Sequence, residues 1–315
     1  MPRIGLKQVL SLTHSHRELV QSGRHPAEPS LAPDLTGSIM PESWTPAGPD
    51  VDAVLARYDD PLRVLSEAEV PAILLRRVYR RADCDGLIER FIERDLMRHP
   101  DTPAVEGERT RIDVGTSLGN RGGDQAGFFD HAAATHSLFQ HLFDGFDNPV
   151  DKVYGHLSQL AAGRQVKVAR EPDGRLYGPA VFRIHYGGHA YSPHIDHVSL
   201  REKRFDYAVT RFEHQFAGVL CLRNSSQGDG NTQAILHRCL WTEEVQPHLA
   251  AGTFPRYAAT HNVEHCGVAL DPGDLYFFNT RLIHEVPAVQ GREPRVVLAV
   301  FMGFTSSDDE IFVWA

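Results

Sequence analysis

The second half of the chain alternates short apolar runs with turn residues, and this pattern constrains the fold most. The runs are separated by Gly, Pro and Asp and cover residues 166–169, 180–186, 216–222, 232–237, 267–270, 275–279 and 295–304. Short strands at such regular spacing favour a sandwich or barrel over a doubly wound parallel sheet. We therefore expect residues 165–315 to form a β-rich core.

The first half has a different pattern. Residues 70–79 are apolar and β-branched enough for a strand. Apolar residues at helical spacing predict helices over 82–93, 124–143 and 150–162. We expect residues 61–164 to form a supporting strand and helices, in one domain with the β-rich core.

Residues 1–60 form an N-terminal extension in this interpretation. A short amphipathic helix is predicted over residues 5–22. The segment from His25 to Asp50 holds six prolines and has no sustained periodicity, which predicts a loop. Long loops of this kind are either surface linkers or lids over an active-site mouth, and for residues 26–50 both interpretations stay open.

Composition narrows the function classes. The 315 residues are 42% hydrophobic and 23% charged, as in an ordinary globular protein. A net charge of −9 lacks the positive field that nucleic-acid binding exploits, so no nucleic-acid partner is expected. No apolar stretch approaches the roughly 20 residues needed to cross a bilayer, and no signal-peptide segment is evident, so we expect a cytoplasmic protein without a membrane partner.

One motif carries the chemistry. In Phe182–His197, the side chains of His194 and Asp196 share one face of an extended strand, while Ile195 points to the other face. A third ligand has to come from elsewhere, and His284, which follows an aromatic strand, is the best candidate. Two imidazoles and one carboxylate leave coordination positions open on a divalent metal, which is typical of non-haem Fe(II) oxygenases.

The remaining histidines near these residues are weaker candidates. His185 and His197 lie at odd offsets from His194, which points them to the opposite strand face if the chain stays extended. His189 follows a glycine turn, so its direction cannot be predicted. His261 and His265 have the i, i+4 spacing of a zinc pair on a helix, but the segment leads straight into a strand. We do not expect these five to bind metal.

The order of these residues resembles the Fe(II)- and 2-oxoglutarate-dependent dioxygenases, especially their prolyl-4-hydroxylase-like branch. The resemblance covers residues 165–304, with a weaker echo at 70–94, and rests on Tyr186, Gly188, His194, Asp196, His284 and Arg295. It implies an α+β fold whose core is a double-stranded β-helix (a jelly roll, as in cupins) buttressed by N-terminal helices. It also implies Fe(II) held by His194, Asp196 and His284, with 2-oxoglutarate and O2 as cosubstrates.

Two further residues gain roles through the resemblance. Arg295 would pair with the far carboxylate of 2-oxoglutarate, for which the planar guanidinium is well suited. Arg292 is its rival, but Pro294 separates Arg292 from the strand that continues directly from Arg295. Tyr186 would place a hydroxyl near the same cosubstrate, or else is an aromatic residue packed in the barrel.

The implied activity is hydroxylation of an unactivated carbon of a small molecule, an amino acid or secondary metabolite, with release of succinate and CO2. Related halogenases have glycine or alanine in place of the carboxylate ligand, so Asp196 disfavours halogenation. Three alternatives stay open: desaturation, epimerisation or ring formation at the same metal site; a non-catalytic metal-binding sensor; and a cupin-like metalloenzyme that does not use 2-oxoglutarate. The oligomeric state is left open.

Overall fold

The computed structural model describes residues 43–102, 107–225 and 232–315, together with the backbone of residues 10–11. The helices in this part of the chain are α1 (Val51–Arg57), α2 (Pro61–Ser66), α3 (Arg81–Glu93), α4 (Leu118–Arg121), α5 (Gln125–Leu142), α6 (Pro149–Leu160), α7 (Gln246–Ala250) and α8 (Phe254–Thr260), with a 3₁₀ turn at Ala208–Arg211. Within the described ranges, no helix combines the length and the apolar character that a bilayer span requires.

The strands of the same residues are β1 (Leu10–Ser11), β2 (Ile73–Leu75), β3 (Arg111–Gly115), β4 (Gln165–Val168), β5 (Val181–His185), β6 (Tyr191–His194), β7 (His214–Arg223), β8 (Thr232–Leu240), β9 (His265–Ala269), β10 (Leu275–Asn279), β11 (Leu282–Val286), β12 (Arg295–Phe304) and β13 (Glu310–Trp314). A large sheet has the order β1-β3-β5-β12-β7-β10-β2, with β13 paired to β12 and β4 paired to β13. A smaller sheet has the order β6-β11-β8-β9. Pairing is antiparallel except between β13 and β4, so the fold is a mixed α/β arrangement built on antiparallel sheets.

The predicted elements are recovered where the periodicity is strong. Helices α3, α5 and α6 match the three predicted helices within two residues at each end. The side chain of Asp124 caps α5 by accepting from the Gly127 amide at 3.1 Å, and Asn148 caps α6, whose first residue is Pro149. Strands β10 and β12 have the predicted bounds.

Other elements differ from the predictions. The strand predicted over 70–79 is only Ile73–Leu75, because the chain then turns at Arg77, whose φ is +55°. A helix over all of 5–22 is wrong at Leu10–Ser11, which pair with β3 as a strand; the rest of that prediction, and most of the loop predicted over 26–50, lie outside the described residues. Strands β3, β6, β11 and β13 were not predicted, since they are short and mix apolar with polar residues.

The large sheet has two different faces. One face carries large apolar side chains such as Phe182, Leu298 and Phe277, which pack on residues of α3, α5 and α6 in the main hydrophobic core. On the central strands the opposite face, toward the small sheet, carries residues such as Ala217, Val219 and Ala299. Because these side chains are small, they leave a cavity of about 340 Å³ between the sheets, within the range of roughly 300–1,000 Å³ that small-molecule sites occupy.

The helix-facing side of β7 gives a prediction about stability. A Cβ added at Gly218 would lie 2.7 Å from Cε1 of Phe277 and 3.1 Å from Cγ2 of Val300, both fully buried. We expect Gly218→Ala to lower the free energy of unfolding by about 1–3 kcal/mol through overpacking. The control is Gly155→Ala on the exposed face of α6, where a Cβ meets nothing within 4 Å. It should stabilise the protein by roughly 0.4–1 kcal/mol in the same urea titration; equal effects of the two changes would contradict this packing of β7.

Candidate active site

The small sheet brings two histidines together. His194 at the end of β6 and His284 in β11 are directly opposed in the antiparallel register, with ring centroids 4.2 Å apart. His284 is 3% exposed and packs edge-on against Phe278 at 4.9 Å. Strand pairing therefore joins residues that lie ninety positions apart in the sequence.

Backbone carbonyls orient both imidazoles. Nδ1 of His194 donates to the carbonyl of Ser192 at 2.7 Å, and Nδ1 of His284 donates to the carbonyl of Leu282 at 2.9 Å. A carbonyl only accepts, so each Nδ1 carries a proton and each Nε2 is left to face the site. Burial, together with the neighbouring His284, lowers the pKa of His194 to about 3, which keeps this ring neutral at neutral pH. This is the hydrogen-bonding pattern that fixes metal-ligating histidines.

Asp196 supplies the carboxylate. Its Oδ2 lies 3.4 Å from Nε2 of His284, and its Oδ1 lies 3.8 Å from Nε2 of His194. Arg201 forms an ion pair with Oδ1 and also donates to the carbonyl of Ile195 at 3.0 Å. Burial works to raise the pKa of Asp196, but the adjacent imidazole of His284 and the charge of Arg201 outweigh it, so the pKa lies well below its usual range. Asp196 is therefore a carboxylate at neutral pH.

These three side chains fit a divalent metal. One ligand atom from each lies within 4.8 Å of the other two, and His194, Asp196 and His284 are the one such group that the described residues contain. Neighbouring ligands on one face of an octahedral ion lie about 3 Å apart, so small side-chain movements would close the set. Ile195, between the two ligands, points away into a separate apolar cluster with Ile283 and Phe254, as the strand alternation predicts.

Arg295 lies in the same cavity and fits a carboxylate. It is 2% exposed, and its Nη2 donates to the carbonyl of Pro287 at 2.9 Å. Its Nε and Nη1 are buried and have no hydrogen-bond partner. Burial lowers the pKa of this guanidinium, and none of the described residues places a carboxylate close enough to offset the effect. Arg292, the rival candidate, is exposed and does not line the cavity.

Tyr186 lies elsewhere. Its hydroxyl accepts from the backbone amide of Arg98 at 2.9 Å, and the Arg98 guanidinium lies 3.7 Å from the centre of its ring. Its ring packs against the main hydrophobic core, and Tyr186 does not line the cavity. The structure thus brings together the three ligand candidates and Arg295, but not Tyr186. The buried Tyr276 of β10, which the sequence did not single out, lines the cavity instead, and burial raises the pKa of its hydroxyl.

The other histidines near the motif make different contacts. His185 lines the cavity from the large sheet, where it stacks on His189 at 4.5 Å. The prediction from its odd offset to His194 assumed one continuous strand. It does not apply to His185, because the chain passes from the large sheet to the small sheet between His185 and His194. Nδ1 of His197 faces the amides of Ser199 and Leu200. His261 follows the end of α8 and His265 begins β9, so they do not share a helix.

Two arginines of the cavity, Arg111 and Arg183, were missed at the sequence level. Arg111, Arg183, Arg201 and Arg295 all line it. Arg111 forms two hydrogen bonds with Asp113, at 2.6 and 2.5 Å, and donates to the hydroxyl of Tyr191 at 2.7 Å. For Arg183 a signal was present, since Phe182-Arg183-Ile184-His185 alternates apolar and polar residues and so puts both polar side chains on one face.

The cavity between the two sheets and its two-histidine, one-carboxylate group have the arrangement that is typical of mononuclear non-haem metalloenzymes. Residues 50–315 match the family described as carrier-protein-independent halogenase WelO5, and the chain belongs to this family. The prediction of the Fe(II)/2-oxoglutarate-dependent superfamily is thereby confirmed. The prolyl-4-hydroxylase-like branch is not confirmed. No curated protein matches the chain significantly.

Solved structures share the fold. An N-substituted L-amino acid dioxygenase from Burkholderia ambifaria AMMD has a TM-score of 0.53 and 13% identity, over 82% of this chain and 91% of that chain. The same enzyme in complex with alpha-KG has a TM-score of 0.51 and 14% identity, over 81% and 90% of the two chains. At such low identity these similarities support the fold alone.

Proposed function

We propose that this protein is an Fe(II)- and 2-oxoglutarate-dependent oxygenase that hydroxylates an unactivated carbon of a small molecule. The observation that carries the proposal is that His194, Asp196 and His284 converge in the same cavity as Arg295, whose buried Nε and Nη1 have no hydrogen-bond partner. We further propose that the two sheets are the two walls of a double-stranded β-helix core. The size of the cavity supports a small-molecule substrate, an amino acid or secondary metabolite.

The roles of the chain's own residues follow from their contacts. His194, Asp196 and His284 would hold the iron, which when bound would supply the oxidative chemistry that converts 2-oxoglutarate and O2 to succinate and CO2 and transfers the remaining oxygen atom to the substrate. Arg295 would bind the far carboxylate of 2-oxoglutarate with its free Nε and Nη1. Arg201 holds Oδ1 of Asp196, which orients the carboxylate so that Oδ2 faces His284. The cavity wall would position the substrate carbon and keep water out.

The test needs no substrate. Metal-free protein is titrated anaerobically with Fe(II) and then with 2-oxoglutarate, and the weak visible charge-transfer band of a chelated keto acid is recorded. We expect the band to appear only after both additions. Iron binding without a band would overturn the 2-oxoglutarate assignment and favour the cupin-like or sensor alternatives. Desaturation, epimerisation or ring formation would give the same band and would be recognised from the product.

Halogenation is the second candidate, because the matching family is named for it. In halogenases a glycine or alanine leaves a ligand position open for chloride, whereas in this chain the Asp196 carboxylate lies 3.4 Å from Nε2 of His284. Its Oδ1 is also held by Arg201. Asp196 therefore supports hydroxylation rather than halogenation.

Replacing Asp196 by glycine separates the two candidates. In the parent protein we expect the charge-transfer band to be unchanged by chloride, since Asp196 fills the position. In Asp196→Gly we expect a chloride-dependent shift of the band, because the position that the carboxylate fills in the parent becomes open. Sulfate at equal ionic strength is the control. A chloride-dependent shift in the parent would instead favour halogenation.

A further inference from the structure

The cavity holds more positive charge than 2-oxoglutarate requires. Of the four arginines that line it, Arg111 is paired with Asp113 and Arg201 with Asp196. The other two, Arg183 and Arg295, have no carboxylate within 4.0 Å among the described residues. The other lining carboxylate, Glu202, lies 3.9 Å from Nε of Arg201, so one cosubstrate carboxylate at Arg295 leaves Arg183 without an ion-pair partner among the described residues.

Arg183 is a cation in the cavity wall that forms no ion pair with the described residues. Its Nε is buried and has no hydrogen-bond partner, and its guanidinium lies 5.6 Å from the centre of the Phe301 ring. Arg183 as a whole is half-buried, but shutting its Nε away from water without a partner is costly, and guanidinium groups in such places are usually matched by a carboxylate or phosphate. The cost is explained if an anion from outside the chain completes the site.

The strand register separates Arg183 from the cosubstrate anchor. Arg295 pairs with His185, whereas Arg183 pairs with Val297, two residues further along β12. This spacing corresponds to roughly 7 Å along the strand. Further in the same direction the inner face carries Ala299 and then Phe301, so Arg183 lies between the anchor and an apolar part of the cavity.

The surroundings of Arg183 suit an organic acid. Phe301 and Trp314 stack with centroids 6.4 Å apart, and Leu118 and Val198 also line the cavity. The buried Nε2 of Gln215, another lining residue, is a second donor without a partner. A cation, a neutral donor and an apolar surface together match a carboxylate attached to an apolar body.

We propose that Arg183 binds a carboxylate of the primary substrate, and that this enzyme therefore acts on a small organic acid with an apolar body. The proposal rests on the proposed function only in assigning Arg295 to 2-oxoglutarate. The anion at Arg183 could come from the substrate, the cosubstrate or a halide. Binding measurements distinguish these three sources.

The test measures binding by calorimetry to the anaerobic Fe(II) protein with 2-oxoglutarate, in chloride-free buffer. The probes are butanoate, hexanoate and 3-phenylpropanoate, each compared with its neutral amide. At least one carboxylate should bind about tenfold or more tightly than its amide, and this preference should vanish in Arg183→Met. It should persist in Arg256→Met, a matched loss of charge at an exposed position of α8. The proposal is overturned if no carboxylate binds, if acid and amide bind equally, or if Arg183→Met keeps the preference.

Two controls separate this proposal from the function on which it rests. Arg183→Met should leave 2-oxoglutarate affinity within about threefold, because Arg295 carries that contact. Equal loss of 2-oxoglutarate binding in Arg183→Met and Arg295→Met would assign Arg183 to the cosubstrate and overturn the proposal, while the oxygenase assignment stands. If the parent protein failed to bind 2-oxoglutarate, the oxygenase assignment would be overturned. The comparison of acid and amide probes would then be made without 2-oxoglutarate, and it would still test Arg183. Chloride that displaces the carboxylate probe at equal concentration would assign Arg183 to a halide and overturn the proposal.

A stability measurement gives a readout independent of any probe. If Arg183 is kept unpaired for a ligand, replacing it by methionine should raise the melting temperature of the ligand-free protein by about 2 °C or more. Arg256→Met should change it less, because its charge is already solvated. A lower melting temperature in Arg183→Met would mean that the guanidinium has a structural partner, and this would also overturn the proposal.

Discussion

His194→Ala is expected to lower the affinity for Fe(II) by more than about 100-fold, since even changes to groups that only support metal ligands cost 10–100-fold. The variant keeps only one histidine and one carboxylate of the proposed ligand group, so the metal would form two bonds to the protein instead of three. His194 belongs to the edge strand β6, and its side chain is 14% exposed, so its loss should leave the core intact. Anaerobic equilibrium dialysis measures the affinity, and the charge-transfer band should be absent.

The control for this experiment is another histidine of the same cavity. His185→Asn removes a buried imidazole that lies outside the ligand group. We expect it to bind Fe(II) as the parent does. If His194→Ala retained the parent affinity, or if His185→Asn lost it to the same extent, the three-residue metal site would be wrong.

Arg295→Met is expected to weaken 2-oxoglutarate binding by about 30-fold or more, which is the effect of truncating one partner of a buried charge pair. Fe(II) binding should be unchanged, because Arg295 is not in the ligand group. Methionine fills a similar volume and removes an unpaired buried charge, so the variant should fold. Anaerobic titration of the Fe(II) protein with 2-oxoglutarate gives the affinity from the visible band.

The neighbouring arginine provides the matched control. Arg292→Met removes the same charge three residues away, at an exposed position that does not line the cavity. It should bind 2-oxoglutarate as the parent does. If 2-oxoglutarate affinity fell in Arg292→Met only, Arg292 would be the residue that binds the cosubstrate. This result would contradict a binding role for Nε and Nη1 of Arg295.

Local sequence patterns were sufficient for the elements that bury one regular face. Helix α6, with its regular apolar period, and strands β10 and β12, with their apolar runs, are such elements. Their bounds were predicted to within two residues. Strand β6 was missed because Tyr191-Ser-Pro-His194 carries no apolar alternation and includes a proline that is tolerated at a sheet edge. Its pairing with β11 depends on residues ninety positions away.

The sequence by itself predicted that His194 and Asp196 face one side of the chain while Ile195 points into the core, because side chains alternate along extended backbone, and the structure has this arrangement. It also favoured Arg295 over Arg292 through the position of Pro294. Only the tertiary structure decided that His284 faces His194, that Tyr186 contacts Arg98 outside the cavity, and that Arg183 shares the cavity with no carboxylate partner among the described residues. These facts depend on which strands become neighbours, and strand pairing is set by the packing of the whole core, which no local pattern records.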